Sequence, residues 1–395
     1  MITLGSKEPE LLRVLVIGAG AAGLLMGQVS KKAGINVTVF EQDESAAARP
    51  RDWNFGLYWA QSRLEECLAP EQNALLDTVQ TDPSFRRRKD FLLPVFNGLT
   101  GELMKEIPAP ETFRLWRKAW LELAKTCRLV LMFVTGRDSS PSPLITDGGV
   151  TATFEDGTAS TGDLLIGAEG AHSMTRDFLF QADPQAAAMQ QVPTSCCVTL
   201  STIGRDLALA ARNIHPMFCY VIDAANQFTW VSLHDCTAPE PAEWVFLLLV
   251  SWPAVVVDGP EAARERVGEA EDADALCRPE NNDRLVDMLH ARSRHLMSPF
   301  GDMLRAVPRG TKSGRAGSLW PGDAAHAMTF HRGQGLGNAI ADVAELQTHL
   351  RGMKAHTREE LGRAENSLAV HNWEKFKESM VMVTGLTRGA AAESS

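Results

Sequence analysis

Apolar and polar positions change texture several times along the chain. Near the start, Val14–Ile17 is a short, β-branched apolar run without polar alternation, the pattern of a strand buried on both faces. Ala22–Ala33 then carries helical spacing, and Asn36–Phe40 reads as a second strand that Glu41 closes. The design recurs at Leu164–Ile166, an apolar run ending in glycines, and again at Ser318–Trp320, followed by a helix from about Gly335. Strands that alternate with helices predict an α/β part with a parallel sheet. From residue 191 to 295 the texture differs. "CCVTLSTIG", "MFCYVIDAANQFTWVSLHD" and "EWVFLLLVSW" are β-rich runs parted by the turn signals "DAAN" and "APEPAE", which predict a mostly antiparallel sheet. An acidic segment, Glu261–Asp274, and a helix over about Asp283–Met297 follow. The expected organisation is a discontinuous domain of residues 1–190 and 296–395, with an α+β domain of residues 191–295 inserted.

Composition removes several classes of function. The 395 residues are 45% hydrophobic and 22% charged, ordinary for a chain of two or three domains with a sizeable core. A net charge of -10, with both signs mixed along the sequence, leaves no basic face to neutralise the phosphates of a nucleic acid. The run Arg86–Lys89 reads as a solvated loop. Seven cysteines without a CxxC pair argue against a disulfide framework or a zinc site and for a reducing compartment. No apolar stretch reaches about 18 residues, and Glu8 and Glu10 precede the first apolar run without a basic segment. The expectation is a cytoplasmic chain with no transmembrane segment and no metal. Nothing in the pattern sets an oligomeric state.

The first chemistry lies in "RVLVIGAGAAGLLMGQVSKKAGINVTVFEQD". Gly18, Gly20 and Gly23 form GxGxxG between the first strand and its helix. Gly18 permits the tight turn, Gly20 lets the backbone approach a pyrophosphate, and Gly23 lets helix and strand pack closely. Ala22 lies in the first helical turn, whose positive end faces the anion. Glu41, with Gln42 beside it, ends the second strand where it can accept hydrogen bonds from an adenosine ribose, which argues against a bound 2'-phosphate. FAD and NAD share this fingerprint, so it leaves both open.

Two further segments favour FAD. "TGDLLIGAEGAHSMTR" sets a strand directly before Gly167, Ala168, Glu169 and Gly170, and "PGDAAHAMTFHRGQGLGNAIADVAEL" sets Gly322 and Asp323 at the end of another. Ligands of open parallel sheets lie outside the carboxyl ends of the strands. Asp323 is thereby placed to hydrogen-bond a ribityl chain. The helix after "RGQGLG" aims its positive end at the pyrimidine side of a flavin. A plain NAD dehydrogenase has no use for this second acidic strand end. The fold class expected is therefore α/β, a Rossmann-like FAD-binding domain with a parallel sheet plus an α+β substrate domain with a mostly antiparallel sheet.

Taken together, these motifs resemble the single-component FAD-dependent aromatic hydroxylases, the para-hydroxybenzoate hydroxylase-like family, and look most like its fungal natural-product members. GxGxxG with Glu41, "GAEGAHSMTR" and "GDAAHAMTFHRGQGLGN" carry the resemblance in order. "FRLWRKAWLELA" is similar to a family helix whose arginine lies near FAD and matches Arg117. "ARPRDWNFGLYWAQSRLEECL" looks like the flavin-flanking loop, with Arg51 and Gly56 as its candidates for touching the cofactor. The resemblance implies non-covalent FAD held also by Glu169, Gly322, Asp323, Gly333, Gly335, Leu336 and Gly337. Departures stand beside it. Glu169 replaces an aspartate, Pro321 sits where an apolar residue is usual, Phe330 and His331 occupy the place of a proline, and Asn338 comes one residue late.

The activity the resemblance implies is monooxygenation. NADPH or NADH gives hydride to the flavin, dioxygen reacts at its C4a carbon, and the hydroperoxide hydroxylates or epoxidises an aromatic or alkene substrate. The protein must supply a dry pocket, donors for negative charge and orientation of the substrate. Tyr220 and Trp230 occupy possible inward faces of the inserted sheet. Arg212, His215, Tyr220 and His234 are the candidates for steering a substrate proton. Other flavin chemistry on the same fold, a halogenase or a reductase, and a flavin-binding relative without turnover are the alternatives.

Overall fold

The computed structural model describes residues 12–43, 53–86, 90–110, 113–117, 131–133, 142–146, 149–188, 194–223, 226–253, 282–311, 313–314, 333 and 335–352. In chain order the first part gives β1 (Arg13–Ile17), α1 (Ala21–Lys32), β2 (Asn36–Glu41), β3 (Phe55–Leu57) and α2 (Gln61–Cys67). Next come β4 (Leu92–Asn97), β5 (Leu103–Pro108), β6 (Arg114–Trp116), β7 (Leu131–Phe133) and β8 (Ser142–Thr146). β9 (Gly149–Thr153), β10 (Ala159–Gly162), β11 (Leu164–Gly167) and α3 (Met174–Leu179) follow. The remainder holds β12 (Thr194–Thr202), α4 (Arg205–Ile214), β13 (Phe218–Ile222), β14 (Phe228–Asp235), β15 (Val245–Pro253), α5 (Asn282–Arg292), α6 (Phe300–Arg305), β16 (Ser313–Gly314) and α7 (Gly335–Gly352).

β1 is the centre of a parallel sheet in the order β11-β1-β2-β7. Val14, Leu15 and Val16 are at most 1% exposed, because both faces of the strand are covered, and that is why the run shows no polar alternation. On one face α1 and α7 bring Leu24, Val29, Val343 and Leu346 against Val14, Val16 and Val39. On the other, Leu15, Ile17 and Phe40 pack on Ala152 and Phe154, carried by the small antiparallel sheet β10-β9-β8.

The second sheet runs β16-β12-β15-β14-β13-β4-β5. It is antiparallel except for β13 and β4. It is not confined to residues 191–295. β4 and β5 join it from residues 92–108, since Leu93 and Val95 bury on the same face as Phe218 and Tyr220. Side chains alternate across the sheet as the strand period requires. Cys219, Val221, Val231, Leu233, Leu248 and Val250 face α4, α5 and α6. Phe218, Tyr220, Trp230, Leu247 and Leu249 face the other way.

Two expected helices change. α5 stops at Arg292, short of Met297, where the chain turns so that the Met297 N–H can donate to the Gly98 carbonyl at 2.7 Å. Arg114–Trp116, read as the start of a helix, is a strand paired with β3, and its consecutive Leu115 and Trp116 are both buried, as successive residues of a strand covered on two faces can be. The expected strand Ser318–Trp320 and the acidic segment Glu261–Asp274 lie outside the described residues. Among the described residues no helix is long and apolar enough to cross a membrane, and no group of three or more His, Cys, Asp and Glu could hold a metal ion.

Candidate active site

The carboxyl ends of β1, β2 and β11 lie side by side, and the glycine turn sits at their mouth. Gly18 adopts φ +97°, and a Cβ there would stand 2.4 Å from the Ala168 carbonyl oxygen. A Cβ on Gly23 would fall 1.9 Å from the Gly18 oxygen. Helix and strand are therefore as close as bare backbone allows, the condition for a diphosphate to approach main-chain N–H groups. Gly20 caps α1 with no side-chain partner, and the first turn carries no acid, so the positive end of this 12-residue helix is open to an anion. Glu41 ends β2 beside the turn, where Oε2 accepts from the Ala19 N–H at 2.8 Å and Oε1 from the Asp43 N–H at 3.0 Å. Gln42 is exposed next to it. These residues fit the pyrophosphate and ribose of FAD.

Glu169 stands at the neighbouring strand end, but its carboxylate is engaged within the protein. It accepts from the Ser173 hydroxyl at 2.8 Å, the Thr175 N–H at 3.0 Å and the Thr175 hydroxyl, while Ser173 caps α3. The methylene that a glutamate adds over an aspartate is absorbed in reaching Thr175. Gly167 has no room for a side chain, since a Cβ would meet Thr175 Cβ at 2.6 Å.

Opposite this region, β3 leads into Tyr58, whose ring is wedged between two bare stretches of backbone. A Cβ on Gly56 would lie 2.9 Å from Tyr58 Cε2, and one on Gly333, at φ +60°, 3.1 Å from the same atom. Gly335 opens α7, and Leu336 packs into the parallel-sheet core. Gly337 backs onto Trp59, with 3.4 Å between its would-be Cβ and the indole. The Tyr58 hydroxyl meets the Tyr220 hydroxyl at 3.1 Å. Tyr58 and Tyr220 are the protein's two tyrosines, so the phenol pair joins β3's loop to the second sheet. Burial raises the pKa of both. For Tyr58 the bond to Tyr220 opposes the rise, and for Tyr220 the charge and hydrogen bond of Tyr58 add to it.

Around the pair lies a wall of rings. Phe113 is 5.1 Å from Tyr58, Phe218 is 5.1 Å and Phe228 5.3 Å from Tyr220, and Trp230 meets Phe218 edge-on at 5.7 Å between centroids. Tyr220 and Trp230 are direct cross-strand partners. The Trp230 indole N–H is buried and has no hydrogen-bond partner among the described residues, a state that costs about 1–3 kcal/mol unless a ligand or water supplies an acceptor.

The candidates proposed for proton steering separate on geometry. Tyr220 belongs to this wall. Arg212 does not serve it, because its guanidinium reaches Asp82 at 2.6 Å, donates to the Pro216 carbonyl and stacks 5.6 Å over Trp244. Burial pushes the Asp82 carboxyl up, but hydrogen bonds from Ser84 and Arg212 outweigh it and leave the group below its usual range. His215 touches the wall through Phe91 and Phe218, yet its Nδ1 accepts the Met217 and Phe218 N–H groups at 3.2 and 3.0 Å. The lone pair that would take a proton is occupied, and burial pulls the imidazole down to about 4. His234 is buried with Nδ1 2.6 Å from Asn54 Oδ1, while the Asn54 amide donates to Ser232 Oγ and the Leu233 carbonyl at 2.8 and 2.9 Å. These bonds fasten the loop before β3 to β14. Asn54→Ala should lower stability by about 2 kcal/mol, read as a fall in Tm, because it strands buried partners.

Arg117 pairs with Asp235 on β14 and donates through Nε to the Gln80 carbonyl at 3.3 Å. Arg51, Gly322, Asp323 and His326 lie outside the described residues. Tyr58 and Asn54 went unremarked in the sequence. The signal for Tyr58 was its place two residues after Gly56, in a chain with one other tyrosine.

Among known proteins, the chain is 37% identical over 417 residues to the FAD-dependent monooxygenase cctM of Talaromyces islandicus, across 95% of this chain and 97% of that one. It is 27% identical to the FAD-dependent monooxygenase phnB of Penicillium herquei, over 94% of each. Klebsiella pneumoniae HpxO, solved with FAD and uric acid, matches at a TM-score of 0.67 and 17% identity, covering 96% of this chain and 92% of that one. The 2,6-dihydroxypyridine-3-hydroxylase of Arthrobacter nicotinovorans gives the same score and identity over 97% and 94%. At that identity the two structures establish a common fold. No family model matches the chain.

Proposed function

This chain belongs to the FAD-dependent monooxygenases, and on that premise we propose that it inserts one atom of dioxygen into an aromatic or other unsaturated small molecule. The second atom leaves as water, NADPH or NADH provides the electrons, and the product belongs to natural-product biosynthesis. Bound FAD supplies the two-electron reduction and the activation of oxygen. The chain's residues bind, orient and exclude water. Gly18, Gly20, Ala22 and Gly23 receive the pyrophosphate at the start of α1, Glu41 and Gln42 lie at the ribose end, and Asp323 with Gly322 takes the ribityl chain. Gly333, Gly335 and Gly337 lie at the start of α7, whose positive end stabilises negative charge on the ring, with Gly333 and Gly337 making room for Tyr58 and Trp59. The discontinuous part, residues 1–190 and 296–395, holds the cofactor. Residues 191–295, extended by β4 and β5, give the substrate its wall.

What carries this reading is one juxtaposition. The aromatic face of the second sheet meets Tyr58, flanked by Gly56 of β3 and Gly333 before α7, at the Tyr58–Tyr220 bond. A site of rings with neutral phenols orients a planar apolar substrate and keeps it dry. The test is direct. Supernatant from heat-treated protein should contain free FAD, and aromatic compounds should stimulate consumption of NADH or NADPH together with dioxygen. Release of NADP alone, or a yellow protein inert to both nucleotides across a broad aromatic panel, would overturn the reading in favour of a different flavin chemistry or a relative without turnover.

A further inference from the structure

The geometry points to Trp230 as the group that orients the substrate, its indole N–H donating to a carbonyl or hydroxyl oxygen carried by an otherwise apolar, neutral ring system. This rests on the proposed function and names a contact within the same site.

Three observations converge on it. Trp230 lies on the ring-lined face of β14, 9% exposed, and its Nε1 is buried without a partner among the described residues. On β14 itself the neighbouring buried polar groups of that face are provided for, while the buried His215 Nε2 at the edge of the wall lacks a partner among the described residues. The Ser232 hydroxyl donates to the Leu233 carbonyl at 3.3 Å and accepts from Asn54, and His234 is bonded to Asn54. An indole N–H can only donate, so its complement is an acceptor. Beside it on β13, directly across the ladder, stands the Tyr220 hydroxyl, already tied to Tyr58. The Tyr220 and Trp230 rings lie 6.4 Å apart between centroids, and Tyr58, the partner of Tyr220, packs against Gly56 and Gly333.

Charge decides what kind of oxygen. Arg212 is neutralised by Asp82, Arg117 by Asp235, and His215 offers a neutral ring whose Nδ1 is occupied. Neutral donors in a wall of rings suit a ketone or phenol oxygen, and the Trp230 indole is the unpaired one on that face of β14. Such an oxygen loses little solvation energy on entering, whereas a carboxylate would lose much more, and no unpaired cation among the described residues of the wall would meet it. With one edge of the substrate pinned at Trp230 and its plane held among Phe113, Phe218 and Phe228, the ring position that faces the cofactor is set by the distance from that oxygen. Trp230 is thus a positioning residue that selects substrates by an oxygen remote from the reacting carbon.

The test uses the FAD-loaded protein and two probes of nearly the same shape, α-tetralone and tetralin, with affinities measured by calorimetry. Wild type should bind the ketone about tenfold more tightly than the hydrocarbon, although the ketone is the more water-soluble of the two. Trp230→Phe keeps a flat ring and loses the donor. It should weaken α-tetralone about tenfold and leave tetralin within about twofold. Should the variant fail to fold, the wild-type preference decides alone. If tetralin binds as well as α-tetralone, or if the variant weakens both alike, the anchor is refuted while the aromatic pocket stands. If neither probe binds, the pocket and the anchor fall together.

Discussion

Gly23→Ala yields a chain that purifies without FAD and melts well below the wild type. On helix propensity alone the change should help, since alanine is about 1 kcal/mol better than glycine inside a helix. Packing reverses the sign. The new Cβ would sit 1.9 Å from the Gly18 oxygen, in the turn we propose for the diphosphate, and 3.3 Å from the Ala168 Cβ at the end of β11. Gly18 cannot yield, for its N–H is bonded to the Phe40 carbonyl at 2.8 Å and its φ of +97° is open only to glycine at low cost. α1 must move off β1 instead, which opens the core around Leu24 and Val29 at an expected cost of about 1–3 kcal/mol or more. The same shift displaces the helix end from the anion, so FAD content per chain should drop at least about tenfold, one decade being about 1.4 kcal/mol. Released flavin and Tm, measured on the same preparation, check both parts. A variant that stays yellow with an unchanged Tm would show that α1 and β1 have slack at this turn.

Acid should destabilise the protein through His215. Burial holds this imidazole near 4, against about 6.5 in an unfolded chain. Between those values the unfolded state binds a proton that the folded state refuses. Stability from the neutral ring is therefore complete above about pH 6.5 and drains away as the pH falls toward 4. Over that interval the loss comes to about 3 kcal/mol at most. Asp82, held below its normal range, adds a loss of the same sign at lower pH, present above about 4 and lost as the pH falls through its folded value. His215→Asn offers an oxygen to the Met217 and Phe218 N–H groups and does not titrate, so the fall in Tm from pH 7 to 4.5 should flatten. An equally steep fall in the variant would assign the acid sensitivity to other groups.

How far the sequence could be read depended on whether a feature is local. β1, α1 and β2 were legible within about a residue, because burial on both faces makes Val14–Ile17 uniformly apolar, and three glycines at fixed spacing mark the turn between strand and helix. Leu164–Gly167 and the start of α7 at Gly335 were legible from the glycines that end the one and open the other. The helix expected over "FRLWRKAWLELA" differs in its described start, where Arg114–Trp116 is a strand, since a short strand buried on two faces and a helix buried on one are both apolar over a few residues. Among the proton-steering candidates, residue type suggested Arg212, His215, Tyr220 and His234 equally, and only their partners separate them.

By itself the sequence determined the parallel sheet, the glycine turn with its terminal acid, the flavin-type motif set and the antiparallel texture of the inserted sheet. Each follows from periodicity or from backbone freedom at a few neighbouring residues, which the chain encodes locally. The tertiary structure alone decided which polar groups are taken up by partners within the protein. Arg212 is neutralised by Asp82, 130 residues away, His234 is taken by Asn54, 180 away, and Tyr220 is joined to Tyr58, 162 away. Partners so distant leave no trace in local spacing. A side chain's charge, tautomer and availability are set by what packs against it, and that contact exists only once the two sheets have closed on each other.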